Sequence, residues 1–119
     1  MARYLFENMT PKDEFVTQIS GVGYTFPSKW KNKAALAEMA AQLNADMKNT
    51  GTSVAVVLDD RGFDSAAPDA ILSQPDIDAL FHFDYGNYAQ LSGAVRRGNG
   101  KPLISARYRL WNGHRAGKR

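Results

Sequence analysis

Residues 91–111 read LSGAVRRGNGKPLISARYRLW, and this stretch decides what kind of fold to expect. Asn99-Gly100 at its centre is a strong hairpin signal, because a two-residue type I′ turn requires positive φ at both central positions. With those two in the turn, Gly98 faces Lys101, Val95 faces Ile104, Gly93 faces Ala106 and Leu91 faces Tyr108. Strand side chains alternate between faces with period two, so the last three of these pairs share one face, continued by Leu110. The other face carries Arg96, Ser105, Arg107, Arg109 and Trp111. The more apolar face is expected inward, with Ile104, Tyr108 and Leu110 buried and Arg107 and Arg109 in solvent. Pro102 has no N–H to give a ladder, which places that end near a sheet edge.

Charge collects in the same region. No acidic residue follows Asp84, whereas Arg96, Arg97, Lys101, Arg107, Arg109, Arg115, Lys118 and Arg119 all do. By formal counting residues 1–58 carry about +1, 59–84 about −6 and 85–119 about +8. The net charge of +3 therefore hides a strong asymmetry.

Upstream, Val54 to Leu58 is a continuous apolar, β-branched run that reads as a central strand buried on both faces. Before it, Leu36, Met39, Ala40, Leu43 and Met47 recur at helical spacing, which predicts one long helix over about 29–48 ended by Asn49 and Gly51. That stripe is expected to pack on Val54, Val56 and Phe81 or Phe83. Arg3 to Phe6 reads as a first strand. Thr10-Pro11, followed by Asp13 and Glu14, reads as the start of a short helix that would put Phe15, Val16 and Ile19 inward. Val22 to Phe26 reads as another short strand, and Gly21-Val22-Gly23 as a turn rather than a phosphate loop, since the lysine and further glycine of such loops are missing. Residues 65–78 read as short helices broken by Pro75, and residues 80–85 as an aromatic-rich strand.

The sum is an α+β fold: a single small domain over residues 1–112, an antiparallel sheet with one long helix packed on a face, a C-terminal β-hairpin, and a basic tail over 113–119. At 119 residues the chain is long enough for a core without staples. The absence of cysteine excludes disulfide scaffolds and thiolate metal sites. No apolar run approaches membrane-spanning length and Met1 to Phe6 is not a signal peptide, so the expectation is a cytoplasmic protein without membrane contact.

No catalytic motif is legible. Asp59 and Asp60 at a strand end, with His82 and Asp84, make a weak case for metal-dependent phosphoryl transfer. Against it, an aspartate pair before Arg61-Gly62 is ordinary turn chemistry. No cofactor is expected. The charge distribution instead suggests a small non-enzymatic nucleic-acid-binding protein. Its candidate contacts are Arg96, Arg97, Lys101, Arg107, Arg109, Trp111, His114, Arg115, Lys118 and Arg119, with a secondary basic-aromatic cluster of Lys29, Trp30, Lys31 and Lys33. Arginine grips phosphate bidentately and an aromatic ring stacks on a base. The alternative is a protein-binding module, an inhibitor or modulator of a larger assembly, using the same face on an acidic partner surface. Homo-oligomerisation is left open. The two readings divide on the acidic segment 59–84: if its carboxylates face the hairpin, the positive field is quenched.

Overall fold

A computed structural model describes residues 2–17, 23 and 25–107. The chain forms a small α+β domain around a four-stranded mixed sheet, with four α-helices among the described residues. In chain order these are α1 (Ala2–Asn8), α2 (Lys33–Thr50), β1 (Val54–Asp59), α3 (Ala66–Leu72), β2 (Ala79–Asp84), α4 (Tyr88–Leu91), β3 (Val95–Gly98) and β4 (Lys101–Ser105). The strand order is β1-β2-β4-β3. β1–β2 and β2–β4 are parallel, and only β3–β4 is antiparallel. The expected antiparallel sheet is thus corrected to a mixed one. The correction has a topological cause: α3 separates β1 from β2 and returns the chain to run the same way, which a tight turn cannot do.

Local chemistry explains the elements. Asn32 caps α2 by accepting from the N–H groups of Ala34 and Ala35, and Gly51 closes it in the left-handed region at φ 73°. The helix begins at Lys33, later than the expected 29, because Pro27–Lys29 form a single 3₁₀ turn first. Asn99 and Gly100 sit at φ 51° and 79° and connect β3 to β4, with Val95 opposite Ile104 and Gly98 opposite Lys101.

The N-terminal segment departs from expectation. Residues 3–6 lie in α1, where Arg3 and Glu7 pair at 2.7 Å one turn apart, and not in a strand. No helix follows Thr10. There the Asp13 carboxylate accepts from both the N–H and the hydroxyl of Thr10, closing a local turn that competes with helix formation. Val16 instead makes an isolated parallel bridge to Val54. The expected strand at 22–26 and the inward Ile19 fall partly or wholly outside the described residues, as do Tyr108 and Leu110.

The core lies on one face of the sheet. Leu36, Met39, Ala40, Leu43 and Met47 of α2 and Ala67, Ile71 and Leu72 of α3 cluster with Ala55, Val57, Leu80 and Leu103. By period two that face continues through Asp59, His82, Asp84, Ser105, Arg96 and Gly98. The expected partners of the helix, Val54, Val56 and Phe81 or Phe83, point the other way, where Val56 is buried and Phe81 is 37% exposed. The hairpin is turned likewise: Val95 is 65% exposed while Ser105 is buried, the reverse of the expected orientation. β1, read as central, is an edge strand among the described strands. Beside it, Leu5, Phe6, Phe15 and Val16 face Leu43 and Met47 across an open apolar hollow of about 490 Å³. No helix among the described residues is long and apolar enough to cross a membrane.

Candidate functional site

The parallel pairing sets the site. In open sheets with parallel strands, ligand crevices form beyond the carboxyl ends of those strands, where loops leave the sheet. Here β1 and β2 end together, with Asp59 directly opposite Asp84. Both carboxylates are buried, and each organises the loop that follows. Asp59 Oδ1 accepts from Ser28 Oγ at 2.5 Å and from its neighbour's N–H, Asp60, at 2.8 Å, while Oδ2 accepts from Ser28 N at 2.8 Å. Asp84 Oδ1 accepts from Arg61, Gly86 and Asn87 N–H at 2.8–2.9 Å, and Oδ2 from Gly62 N–H at 3.1 Å. Burial works against charge on Asp84, but the N–H groups of Arg61, Asn87 and Gly86, with His82 beside it, hold its carboxyl below the usual value.

These bonds build a crest from residues 59–62 and 84–87. Arg61 is fixed at φ 57°, a region costly for a residue with a Cβ. Its guanidinium donates to Asn87 Oδ1 at 3.0 Å. Gly86 permits the arrangement: a Cβ there would come within 2.8 Å of Arg61 Cγ and 2.5 Å of Asp60 Oδ1. Asp60 stays accessible, 4.0 Å from Lys29 Nζ. The ring of Tyr85, 37% exposed, meets Phe26 edge-on at 6.0 Å. Gly62 is equally constrained, since a Cβ would run into the Asp59 carboxylate and within 2.9 Å of Ser28 Cβ. Gly62→Ala is therefore expected to cost roughly 1–3 kcal/mol in a denaturant titration, the range for forcing a methyl into a packed site. A loss near zero would show that the loop relaxes freely.

His82 lies behind the crest on the inner face. Burial pushes its pKa down from 6.5, opposed by Asp59 and Asp84, aided by Arg96 and opposed by Asp64. A depressed histidine destabilises on acidification. Above pH 6.5 both states are neutral, and below it the unfolded chain takes a proton that the fold refuses until its own lower pKa is reached. Stability should fall across that window by at most about 1.4 kcal/mol per pH unit. Thermal melts at several pH values would show the decline, and His82→Phe should flatten it.

The remaining sequence candidates scatter. Arg96 is not an outward cation: it lies over the Phe63 ring at 5.4 Å, donates to Phe63 O at 2.7 Å and approaches Asp64 and Asp69 at 3.6 and 3.4 Å. The acidic segment therefore does face the hairpin. Lys101 Nζ is spent on the carbonyls of Gln74 and Ile77. Arg97 bonds Gly100 O, and Arg107 is exposed. In the secondary cluster Trp30 packs on the core and donates to Thr25 Oγ1, with Lys29, Lys31 and Lys33 exposed. Arg109, Trp111, His114, Arg115, Lys118 and Arg119 lie outside the described residues. Asp59, His82 and Asp84 are brought together, but as a buried set in which three protein donors reach Asp59 and four reach Asp84. Among the described residues no group of three or more His, Asp or Glu is placed to hold a metal ion.

Comparison with known proteins identifies what the sequence reading missed. The model of the GxGYxYP putative glycoside hydrolase C-terminal domain matches residues 1–118. A solved structure of a putative hydrolase from Bacteroides thetaiotaomicron superposes with a TM-score of 0.72 at 34% identity over 86% of this chain. The match covers 20% of that protein, so this chain spans about a fifth of its length. No curated protein matches. The nucleic-acid reading is overturned by these matches, and with it the inhibitor or protein-module alternative. The matches lend the phosphoryl-transfer alternative no support, and two of its carboxylates, Asp59 and Asp84, are engaged by loop donors while Asp60 is not. The pattern in the family name is present: residues 21–27 read GVGYTFP, with Phe26 where the name has its second tyrosine. Of its described residues, Gly23 and Thr25 to Pro27, Phe26 adjoins the crest on Tyr85, and Ser28 follows directly. The Gly21-Val22-Gly23 step, read from the sequence only as a turn, thus belongs to the family pattern.

Proposed function

The chain belongs to the GxGYxYP family of C-terminal domains, and from that premise we propose that it is a saccharide-contacting domain of a glycoside hydrolase, with the crest after β1 and β2 as its contact surface. The carrying observation is that the family's own motif ends at this crest. There Phe26 and Tyr85 supply an aromatic flank beside Asp60, Arg61 and Asn87. Carbohydrate sites combine such apolar faces with a few fixed polar groups, and a planar guanidinium or carboxylate bonds adjacent hydroxyls in pairs.

The domain contributes contacts, and does not by itself carry out hydrolysis. Glycoside cleavage uses two carboxyl groups, one of them free to hand a proton to the leaving oxygen. Asp59 and Asp84 are committed to loop N–H groups and cannot take that part without releasing the crest. Asp60 is accessible and suited to hydroxyl contact. The helix α2 and the hairpin β3–β4 serve as scaffold behind the surface.

Affinity electrophoresis of the chain against a panel of soluble polysaccharides tests this. Retardation by at least one glycan is expected, and the Arg61→Ala/Tyr85→Ala pair should abolish it with little change in melting temperature. Absence of retardation across neutral and acidic glycans would sink the proposal, as would retardation that survives both substitutions.

A further inference from the structure

Behind the crest lies a polar patch that the loop architecture does not use. His82 is wholly buried and stands opposite Ser105 across the parallel β2–β4 pairing. Ser105 is 2% exposed. Neither imidazole nitrogen has a hydrogen-bond partner among the described residues, and the same holds for Ser105 Oγ; Arg96 Nε makes no hydrogen bond either, though it stands 3.6 Å from Asp64 Oδ1. Arg96 projects from β3 on this same face, beneath Phe63, whose ring also meets the imidazole edge-on with centroids 5.8 Å apart. Four polar atoms from three adjacent strands thus lie on one face of the sheet, the imidazole and the guanidinium both against Phe63.

Buried donors and acceptors in folded proteins are almost always satisfied, by protein or by a bound small molecule. The inventory here is mixed. Arg96 Nε–H and one imidazole N–H can only give, the other imidazole nitrogen can only accept, and the serine hydroxyl does either. An occupant must therefore both donate and accept. Neighbouring strands are about 4.8 Å apart, a separation that two hydrogen bonds through one water can span.

We propose that His82, Ser105 and Arg96 form a buried binding site for a single water molecule, which bridges the imidazole to Ser105 Oγ and ties β2 to β4. Bound there, the water accepts from one group and donates to another, as internal waters with about three partners do. It selects one imidazole tautomer, because the nitrogen facing it is fixed by the direction of that bond. The site is separate from the crest and independent of any glycan bound there.

A high-resolution crystal structure of the unmodified chain, with ¹⁵N spectra of the His82 ring, tests the assignment. One ordered water within hydrogen-bond reach of both an imidazole nitrogen and Ser105 Oγ is expected. So are ring shifts of a single neutral tautomer and a water cross-peak at the imidazole C–H protons. Ser105→Ala should keep the fold and lose that cross-peak. A direct Ser105–His82 hydrogen bond with no water between them would overturn the proposal, as would a ring exchanging between tautomers. The wild-type measurements decide the matter even if the variant does not fold.

Discussion

Asp84→Ala will lower the stability of the domain by roughly 3–6 kcal/mol, because it removes the common acceptor of four backbone N–H groups. Each bond to a charged acceptor contributes about 1.5–3 kcal/mol, and stranding a buried donor costs a similar amount. The loop at Arg61 and Gly62 and the loop at Gly86 and Asn87 hang on this one side chain, so both will loosen together. With total stabilities of about 5–15 kcal/mol typical of domains, much of the protein will be unfolded at modest denaturant. Asp84→Asn should fall between wild type and alanine, since one oxygen remains to accept. Acid will imitate the alanine variant: the carboxyl is held below 3.8 in the fold, so its stabilisation is present above that pH and is lost as pH falls through the folded value. A urea titration of Asp84→Ala with a loss under about 1 kcal/mol would mean that water replaces the carboxylate at no cost.

Leu43→Ala should cost about 2–5 kcal/mol, the range for truncating a buried leucine. Leu43 is 2% exposed at the middle of α2, and with Met47 it forms the floor of the apolar hollow beside Phe6 and Phe15. The missing methyl groups would enlarge a space that the surrounding side chains already fail to close, so relaxation cannot recover much. Gln42→Ala, on the exposed side of the same turn, is the control and should change stability by less than about 0.5 kcal/mol. Equal effects at the two positions would mean that the stripe is not the packed face of α2.

The contrast between these residues shows what the sequence could convey. The apolar stripe of α2 was legible because five residues at helical spacing leave one consistent inward face. The strands were harder. Val54, Val56, Phe81, Phe83, Val95 and Ile104 are bulkier than Ala55, Val57, Leu80 and Leu103, and hydrophobicity alone favours them as the inner set. The structure chooses the other set. Register couples the strands, so one reversed choice turned β1, β2 and the hairpin together. What hydrophobicity could not weigh is that the inner face ends in Asp59, His82, Asp84, Ser105 and Arg96. Buried polar groups are expensive in isolation, and they become tolerable only when loops supply N–H donors that no strand pattern reveals. Reasoning from local pattern fails most readily where a site is being built. The crest was half visible: Asp59-Asp60-Arg61-Gly62 was read as a turn, but nothing marked Ser28, far away in sequence, as the donor that holds it.

The strand order β1-β2-β4-β3 also sets a timetable for assembly. β3 and β4 are adjacent in sequence and can pair as soon as their two-residue turn closes. β2 is different, since Val54 meets Ala79 on one side and Leu80 meets Leu103 on the other. Both pairings join segments remote along the chain, and such closures are slow because chain entropy is lost before contacts accumulate. The end of β2 that holds His82 and Asp84 is therefore completed late. Substitutions there will show themselves mainly as faster unfolding, with the folding rate little changed.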